Sequence, residues 1–251
     1  MQLYSRLAEY YFEIERTGRN FSEEIEFLDF HFKRFQVKKA LDIGCGTGEH
    51  VSALNQKSYN LTGLDSSQEM LGIAKKRFPN SEFFLSPMQS FEMKQTFDAV
   101  TSIYGSLNYL VKDSEIHSCL DSVRGVLKTS GVFIVELWNG EPIRRIKRKA
   151  MSPVSMTRIG SILIQRNRGF KLSSKIEEDT GLENLVEVNF SFQVNDEEIR
   201  DKHLMRVFSP VEFQTFLQKH KFEILNLYSS YQMDKFTETA GKMIFIVRKK
   251  L

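Results

Sequence analysis

The sequence is short of the residues that mark specialised chain types. In 251 residues it has two cysteines, one tryptophan and five prolines. Two thiols, Cys45 and Cys119, are too few for a disulfide framework, so the chain is expected to be a reduced, cytoplasmic protein. A charge excess is also missing. Thirty-five Lys and Arg against 32 Asp and Glu leave +3, which argues against a DNA-coating protein. Apolar runs are short: Val132-Phe133-Ile134-Val135 is far below the roughly 20 residues of a membrane helix. Arg6 and Glu9 interrupt the opening stretch, which therefore does not read as a signal peptide. No repeat of roughly 20 to 50 residues and no Pro- or Ser-rich linker is present. The histidines and cysteines show no metal-ligand spacing, so no metal is expected. What remains, 41% hydrophobic and 27% charged residues, suits a globular chain with a sizeable core.

Residues 5–35 read as helical, with Asn20 or Ser22 as a cap before the acids Glu23 and Glu24. From residue 38 apolar runs at 40–43, 59–64, 82–85, 99–103 and 132–137 alternate with helical stretches over 48–57, 67–77 and 113–128. That rhythm predicts βαβ units, hence an α/β fold with a parallel sheet and helices on both faces. Strands are then expected over 157–168, 184–194 and 198–208. In the second, Val186, Val188, Phe190, Phe192 and Val194 alternate with polar residues, the signature of an antiparallel sheet. Pro210 opens a helix to residue 220, followed by strands over 222–228 and 242–248. The chain thus divides as one domain, 1–251. A helical cover (1–36) precedes a core (37–138 and 209–251), which an antiparallel β insertion (139–208) interrupts.

Three glycines crowd into Leu41-Asp42-Ile43-Gly44-Cys45-Gly46-Thr47-Gly48, after a predicted strand and before a predicted helix. Glycine there lets the backbone turn tightly and a ligand approach closely. A dinucleotide fingerprint needs a third glycine at position 49, where Glu49 stands, so a nicotinamide oxidoreductase is the weakest reading. Asp65 closes the next strand. Its carboxylate either caps the helix that follows or accepts both hydroxyls of a ribose, and the loop beside it favours the ribose.

The run from Leu41 to Gly48 and the block Asp65-Ser66-Ser67-Gln68-Glu69-Met70-Leu71 resemble the class I S-adenosylmethionine-dependent methyltransferases. So do Thr96-Phe97-Asp98-Ala99-Val100 with Ile103-Tyr104-Gly105-Ser106-Leu107-Asn108-Tyr109-Leu110, and the stretch from Leu127 to Val135. The resemblance implies a Rossmann-like seven-stranded sheet, its last strand antiparallel and inserted beside the sixth. It also implies an S-adenosylmethionine site. Gly44, Gly46 and Gly48 would pass under the methionine portion, and Asp42 would steer its amino group. Asp65 would take the ribose hydroxyls, and Met70 would flank the adenine, with Tyr10, Ser66 and Ile103 in the same shell. Many relatives place an acid for the adenine amine where this chain has Leu85-Ser86-Pro87-Met88-Gln89, so backbone groups at Met88 and Gln89 are expected to read the base.

The flanks resemble small-molecule methyltransferases related to sugar-nucleotide N,N-dimethyltransferases. The matching residues are Tyr10, Gly18-Arg19-Asn20-Phe21 with Glu24, Glu136-Leu137-Trp138-Asn139-Gly140, and His203-Leu204-Met205-Arg206-Val207-Phe208. Glu15 departs from this pattern, standing where an Arg is common. In that group the insertion covers the active site.

Methyl transfer is an in-line displacement, and the protein mainly aligns the partners and excludes water. Tyr104, Glu136 and His203 are the catalytic candidates; Tyr104 also reads as a packing aromatic and His203 as a core or surface histidine. Trp138, Asn139, Arg144 and Arg206 are the substrate-side candidates. Arg19 reads either as a fork for the methionine carboxylate or as an exposed charge at a helix start. The run Arg144-Arg145-Ile146-Lys147-Arg148-Lys149 reads either as a solvated helix face or as a phosphate-recognition element. The expected activity is methyl transfer to an amine or hydroxyl of a small, phosphorylated or nucleotide-linked acceptor, by a monomer or homodimer. A tRNA or rRNA methyltransferase and a non-catalytic S-adenosylmethionine-binding regulator are the alternatives.

Overall fold

The apolar runs pair into one twisted sheet. The computed structural model describes residues 1–173 and 184–250. Two 3-10 turns, Gln2–Tyr4 and Ala8–Tyr10, lead into α1 (Tyr11–Arg16) and α2 (Phe21–Arg34). The helix expected over 5–35 is therefore broken at 17–20. The break falls where Asn20 caps α2, its side chain accepting the Glu23 N–H.

There follow β1 (Lys39–Ile43), α3 (Glu49–Gln56), β2 (Asn60–Asp65), α4 (Gln68–Arg77), β3 (Glu82–Leu85) and β4 (Phe97–Ser102). A 3-10 turn, Ser106–Tyr109, leads to α5 (Asp113–Val126), β5 (Leu127–Trp138) and α6 (Gly140–Ile146). The second sheet holds β6 (Arg148–Ile159), β7 (Ile162–Leu172), β8 (Leu185–Val194) and β9 (Glu197–Arg206). Last come α7 (Pro210–Lys219), β10 (Phe222–Tyr228) and β11 (Lys242–Lys249).

The large sheet runs β10-β11-β5-β4-β1-β2-β3. Strand β11 is antiparallel to both of its neighbours, and the other pairings are parallel. Because successive side chains point to opposite faces, each inner strand feeds two apolar layers. Leu41, Ile43, Val100 and Phe133 meet Ile116 and Leu120 of α5 and Phe213 and Leu217 of α7. Ala40, Ala99 and Ile134 meet Phe27, Leu28 and Phe32 of α2 and Val51 of α3.

The small sheet runs β6-β7-β8-β9, antiparallel throughout. Its apolar face, including Val186, Val188 and Phe192, packs on Leu3, Leu7 and Ile14 of the amino-terminal segment. Two expectations fail here. The strand read over 157–168 straddles a hairpin, with Gly160 in the left-handed region at the turn. The basic run 144–149 is split between α6 and the start of β6, so the sheet has four strands, not three.

Candidate active site

The glycine loop is stitched to the end of β2. Gly44 and Cys45 N–H groups both donate to the Leu64 carbonyl, at 2.7 and 3.0 Å. Gly44 has φ +75°, and a Cβ there would lie 2.6 Å from Ser106 Cβ, so only glycine keeps the space above the loop open. Asp65 accepts the Gly46 N–H at 2.8 Å through Oδ2 and the Ser67 N–H at 2.9 Å through Oδ1. The cap of α4 is Ser67, which accepts the Met70 N–H, so Asp65 is not needed for that task. Burial raises the pKa of Asp65 against these N–H donors. Asp42 is buried, accepts from Thr101 Oγ1 at 2.7 Å, and is pushed up by burial as well.

At the carboxyl ends of β1 and β2 lies a cavity of about 430 Å³, lined by Gly44, Gly46, Asp65, Ser66, Met70, Met88 and Gln89. That volume is typical of a small-molecule site. A left-handed glycine cradle, a carboxylate at the second strand's end and two methionine thioethers fit the nucleoside cofactor that the sequence resemblance implies. Arg19, Asp42 and Ile103 surround a smaller recess of about 30 Å³ beside Gly44 and Gly46. Arg19 is buried. Its Nε donates to both Glu24 oxygens, and its Cζ lies 3.9 Å from the Tyr104 ring centroid. Burial alone would raise Glu24, but hydrogen bonds from His50 and Arg19 outweigh it and bring the carboxyl down to about 2.

A second cavity, of about 460 Å³, opens toward the small sheet. Tyr4, Tyr11, Tyr104 and Tyr109 line both cavities and form the seam between them. Burial raises the pKa of all four phenols, so each is neutral at physiological pH. Tyr104 sits at φ +58°. Its N–H donates to Glu136 Oε2 at 2.9 Å and its hydroxyl to Glu15 Oε2 at 2.8 Å. Glu136, which lines the second cavity, also accepts from the Tyr231 hydroxyl and lies 3.3 Å from Lys242 Nζ. Trp138 lines the same cavity, and so do four cations: Lys149, Arg166, Arg168 and Lys242. Arg166 is paired with Glu15, whereas Lys149 and Arg168 face no carboxylate partner among the described residues.

Several sequence candidates stand elsewhere. Tyr10 lines neither cavity and packs on the apolar cluster between the amino-terminal segment and the small sheet; Tyr11 takes the wall position instead. Gly48 is enclosed by the Phe83 ring and Ala74, where a Cβ would lie 2.7 Å from Phe83, so it serves helix–strand packing. Asn139 caps α6 and donates to the carbonyls of Glu238 and Ala240. Arg144 is held by Glu141 and Asn184. Arg206, 1% exposed, clasps Asp113 at 2.5 Å and Glu212 at 2.6 Å. His203 is buried behind Tyr109 and touches neither cavity directly.

The sequence reading passed over Tyr4, Tyr11, Tyr109, Arg166 and Arg168. One signal was present: five of the eight tyrosines fall within 4–11 and 104–109. A buried tyrosine that keeps a polar tip belongs at a wet boundary.

The chain is similar to known proteins. Residues 40–131 match the family described as a methyltransferase domain. A protein of Geobacillus sp. strain WCH70, named as a methyltransferase, is 25% identical over 87% of each chain. The dTDP-3-amino-3,4,6-trideoxy-alpha-D-glucopyranose N,N-dimethyltransferase of Streptomyces venezuelae is 32% identical over 41% of this chain and 44% of its own length. The alignment thus spans less than half of that enzyme. A crystal structure of an S-adenosylmethionine-dependent methyltransferase from Clostridium acetobutylicum superposes with a TM-score of 0.81 at 19% identity, over 98% of both chains.

Proposed function

We infer that this chain, which belongs to the class I S-adenosylmethionine-dependent methyltransferases, methylates an amine nitrogen of a small anionic acceptor held in the second cavity. The observation that carries this reading is the tyrosine seam, because a methyl group leaving the first cavity meets the second across four neutral phenols. S-adenosylmethionine, when bound, supplies the electrophilic methyl group. Asp65 accepts the ribose hydroxyls, Gly44 and Gly46 offer open backbone, and Met70, Met88 and Gln89 flank the base. Asp42, Ile103 and Arg19 serve the methionine end. Tyr4, Tyr11 and Tyr104 exclude water from the line of transfer, where alignment and dryness supply most of the acceleration. Glu136 fixes the Tyr104 backbone and so keeps that wall in place.

Lys149 and Arg168 favour an acceptor bearing phosphate or carboxylate. The Streptomyces relative's dTDP-linked amino sugar has both an amine and phosphates, and we take that class as the first substrate to test. The buried, unpaired thiols of Cys45 and Cys119 accord with a cytoplasmic setting.

The test is a mass-spectrometric screen of protein, S-adenosylmethionine, dTDP-linked amino sugars, phosphate-free amines, hydroxylated sugars and tRNA. Methylation at nitrogen of a phosphorylated amine is expected; product from tRNA alone would overturn the reading. Converting Lys149 and Arg168 together to Met should raise KM for that acceptor about tenfold and leave S-adenosylhomocysteine affinity unchanged.

A further inference from the structure

Behind the seam runs a line of hydrogen bonds that the two cavities do not explain. The hydroxyls of Tyr4 and Tyr109 are 2.7 Å apart, and the Tyr109 hydroxyl lies 2.6 Å from His203 Nδ1. His203 Nε2 lies 3.0 Å from Asp201 Oδ2, which also accepts the Leu3 N–H at 2.8 Å.

Chemistry sets the direction of this line. Burial would raise Asp201, but the Leu3 N–H and His203 outweigh it and hold the carboxyl below its ordinary range. A carboxylate only accepts, so Nε2 carries the proton and donates. Burial also keeps the His203 ring neutral, against the pull of Asp201, and leaves a lone pair on Nδ1. The Tyr109 hydroxyl therefore donates to Nδ1, and its oxygen accepts from Tyr4. The second lone pair of that oxygen remains, on a residue that lines both cavities.

We propose that Tyr109 is the catalytic base of the reaction, that His203 receives the proton behind it, and that Asp201 is a positioning residue that orients the His203 ring. The assignment rests on the amine-acceptor reading given above. Two other candidates at the seam are already engaged, and the Tyr11 hydroxyl has no hydrogen-bonded acceptor among the described residues to take its proton. The Tyr104 hydroxyl donates to Glu15, itself tied to Arg166, and Glu136 holds Tyr104, Tyr231 and Lys242.

The acceptor enters as an ammonium. Its N–H proton passes to Tyr109 Oη while the phenolic proton of Tyr109 passes to His203 Nδ1. Tyr109 is again a neutral phenol, His203 is an imidazolium against Asp201, and the acceptor nitrogen has its lone pair. That lone pair forms the new C–N bond, and the electrons of the breaking C–S bond stay on sulfur. His203 releases its proton to water between turnovers.

Two features favour the transfer. Lys149 and Arg168 line the cavity with no carboxylate partner among the described residues, and like charges lower the pKa of an ammonium bound beside them. The phenolate that burial disfavours never has to form, because Tyr109 gains one proton as it loses another. The charged and titratable groups facing His203 are Asp201, Tyr109, Tyr4, Glu15 and the Met1 amino group. Asp201 and Glu15 favour the imidazolium, and the Met1 amino group opposes it.

The experiment uses the full chain, with imidazole nitrogen NMR on one arm and kinetics with a dTDP-linked 3-amino sugar on the other. Wild-type His203 should be neutral with the proton on Nε2. Asp201→Asn should change its tautomer or lower its pKa, and Tyr109→Phe should remove the hydrogen bond at Nδ1. If neither variant moves the His203 signals, the proposal is overturned. In the kinetic arm Tyr109→Phe should lower kcat about 100-fold with S-adenosylhomocysteine affinity unchanged. Asp201→Asn should move the acid limb of the pH profile to lower pH. Unchanged kcat and pH profile would also overturn the relay. If the wild type does not methylate this probe, the acceptor reading fails by itself, and the relay is judged on the NMR arm.

Discussion

The first cavity takes its floor from two stretches close in the chain, 44–46 and 65–70, on adjacent strands. The second gathers its walls from α1, β5, β6, β7, β8 and β11, which span most of the sequence. One cavity is shaped by backbone: left-handed glycines and a strand-end carboxylate. The other is shaped by side chains, several of them charged, that a separate sheet carries into place. The first cavity demands little more than a local motif. The second cavity demands long-range assembly, and that assembly needs clasps.

Arg206 is such a clasp, and breaking it should have a large effect. Arg206→Met leaves Asp113 and Glu212 facing a buried, uncharged stem, and should cost about 3 kcal/mol of stability in urea unfolding. S-adenosylhomocysteine affinity, which we assign to the first cavity, should stay near wild type. Parallel loss of both would mean that the two regions are not separable.

Acid probes the opposite side. His31 on α2 is fully buried among Phe27, Phe30, Phe35 and Tyr228, and neither ring nitrogen has a partner. Burial, helped by Arg34, lowers its pKa from 6.5 to about 4. The folded protein thus refuses a proton that the unfolded chain accepts. Stability is full above pH 6.5 and declines as pH falls toward 4, by about 3 kcal/mol. His31→Phe should flatten that part of the stability profile; an unchanged slope would show that His31 already takes a proton in the fold.

The smallest of the three effects sharpens the contrast. Asp65→Ala should weaken S-adenosylhomocysteine binding by about 2 kcal/mol in calorimetry, as expected for lost hydrogen bonds to a charged group. The small sheet should be untouched. Part of the loss will reflect the freed Gly46 N–H, which Asp65 holds.

This contrast also explains what could be read in advance. The parallel core was legible because its strands are near-continuous apolar runs punctuated by helices, and the glycine loop is contiguous. Strand β6 was not. It is an edge strand carrying Pro153, with exposed Met151, Val154 and Met156 and two register shifts against β7, so no alternation marks it. The residues of the basic run part company in the fold. Arg144 is bound by its own neighbours, and Lys149, at the run's end, reaches the cavity beside Arg168. The seam was hidden for a different reason. Each tyrosine comes singly from its element, and only tertiary packing makes a wall of four.

Trp138, the chain's single tryptophan, lines the second cavity and not the first. Its fluorescence is therefore a natural optical reporter: excited selectively, it signals occupancy beyond the seam with no label attached. Titrating candidate acceptors against this emission, with S-adenosylhomocysteine already in place, would rank them by affinity before any turnover is measured.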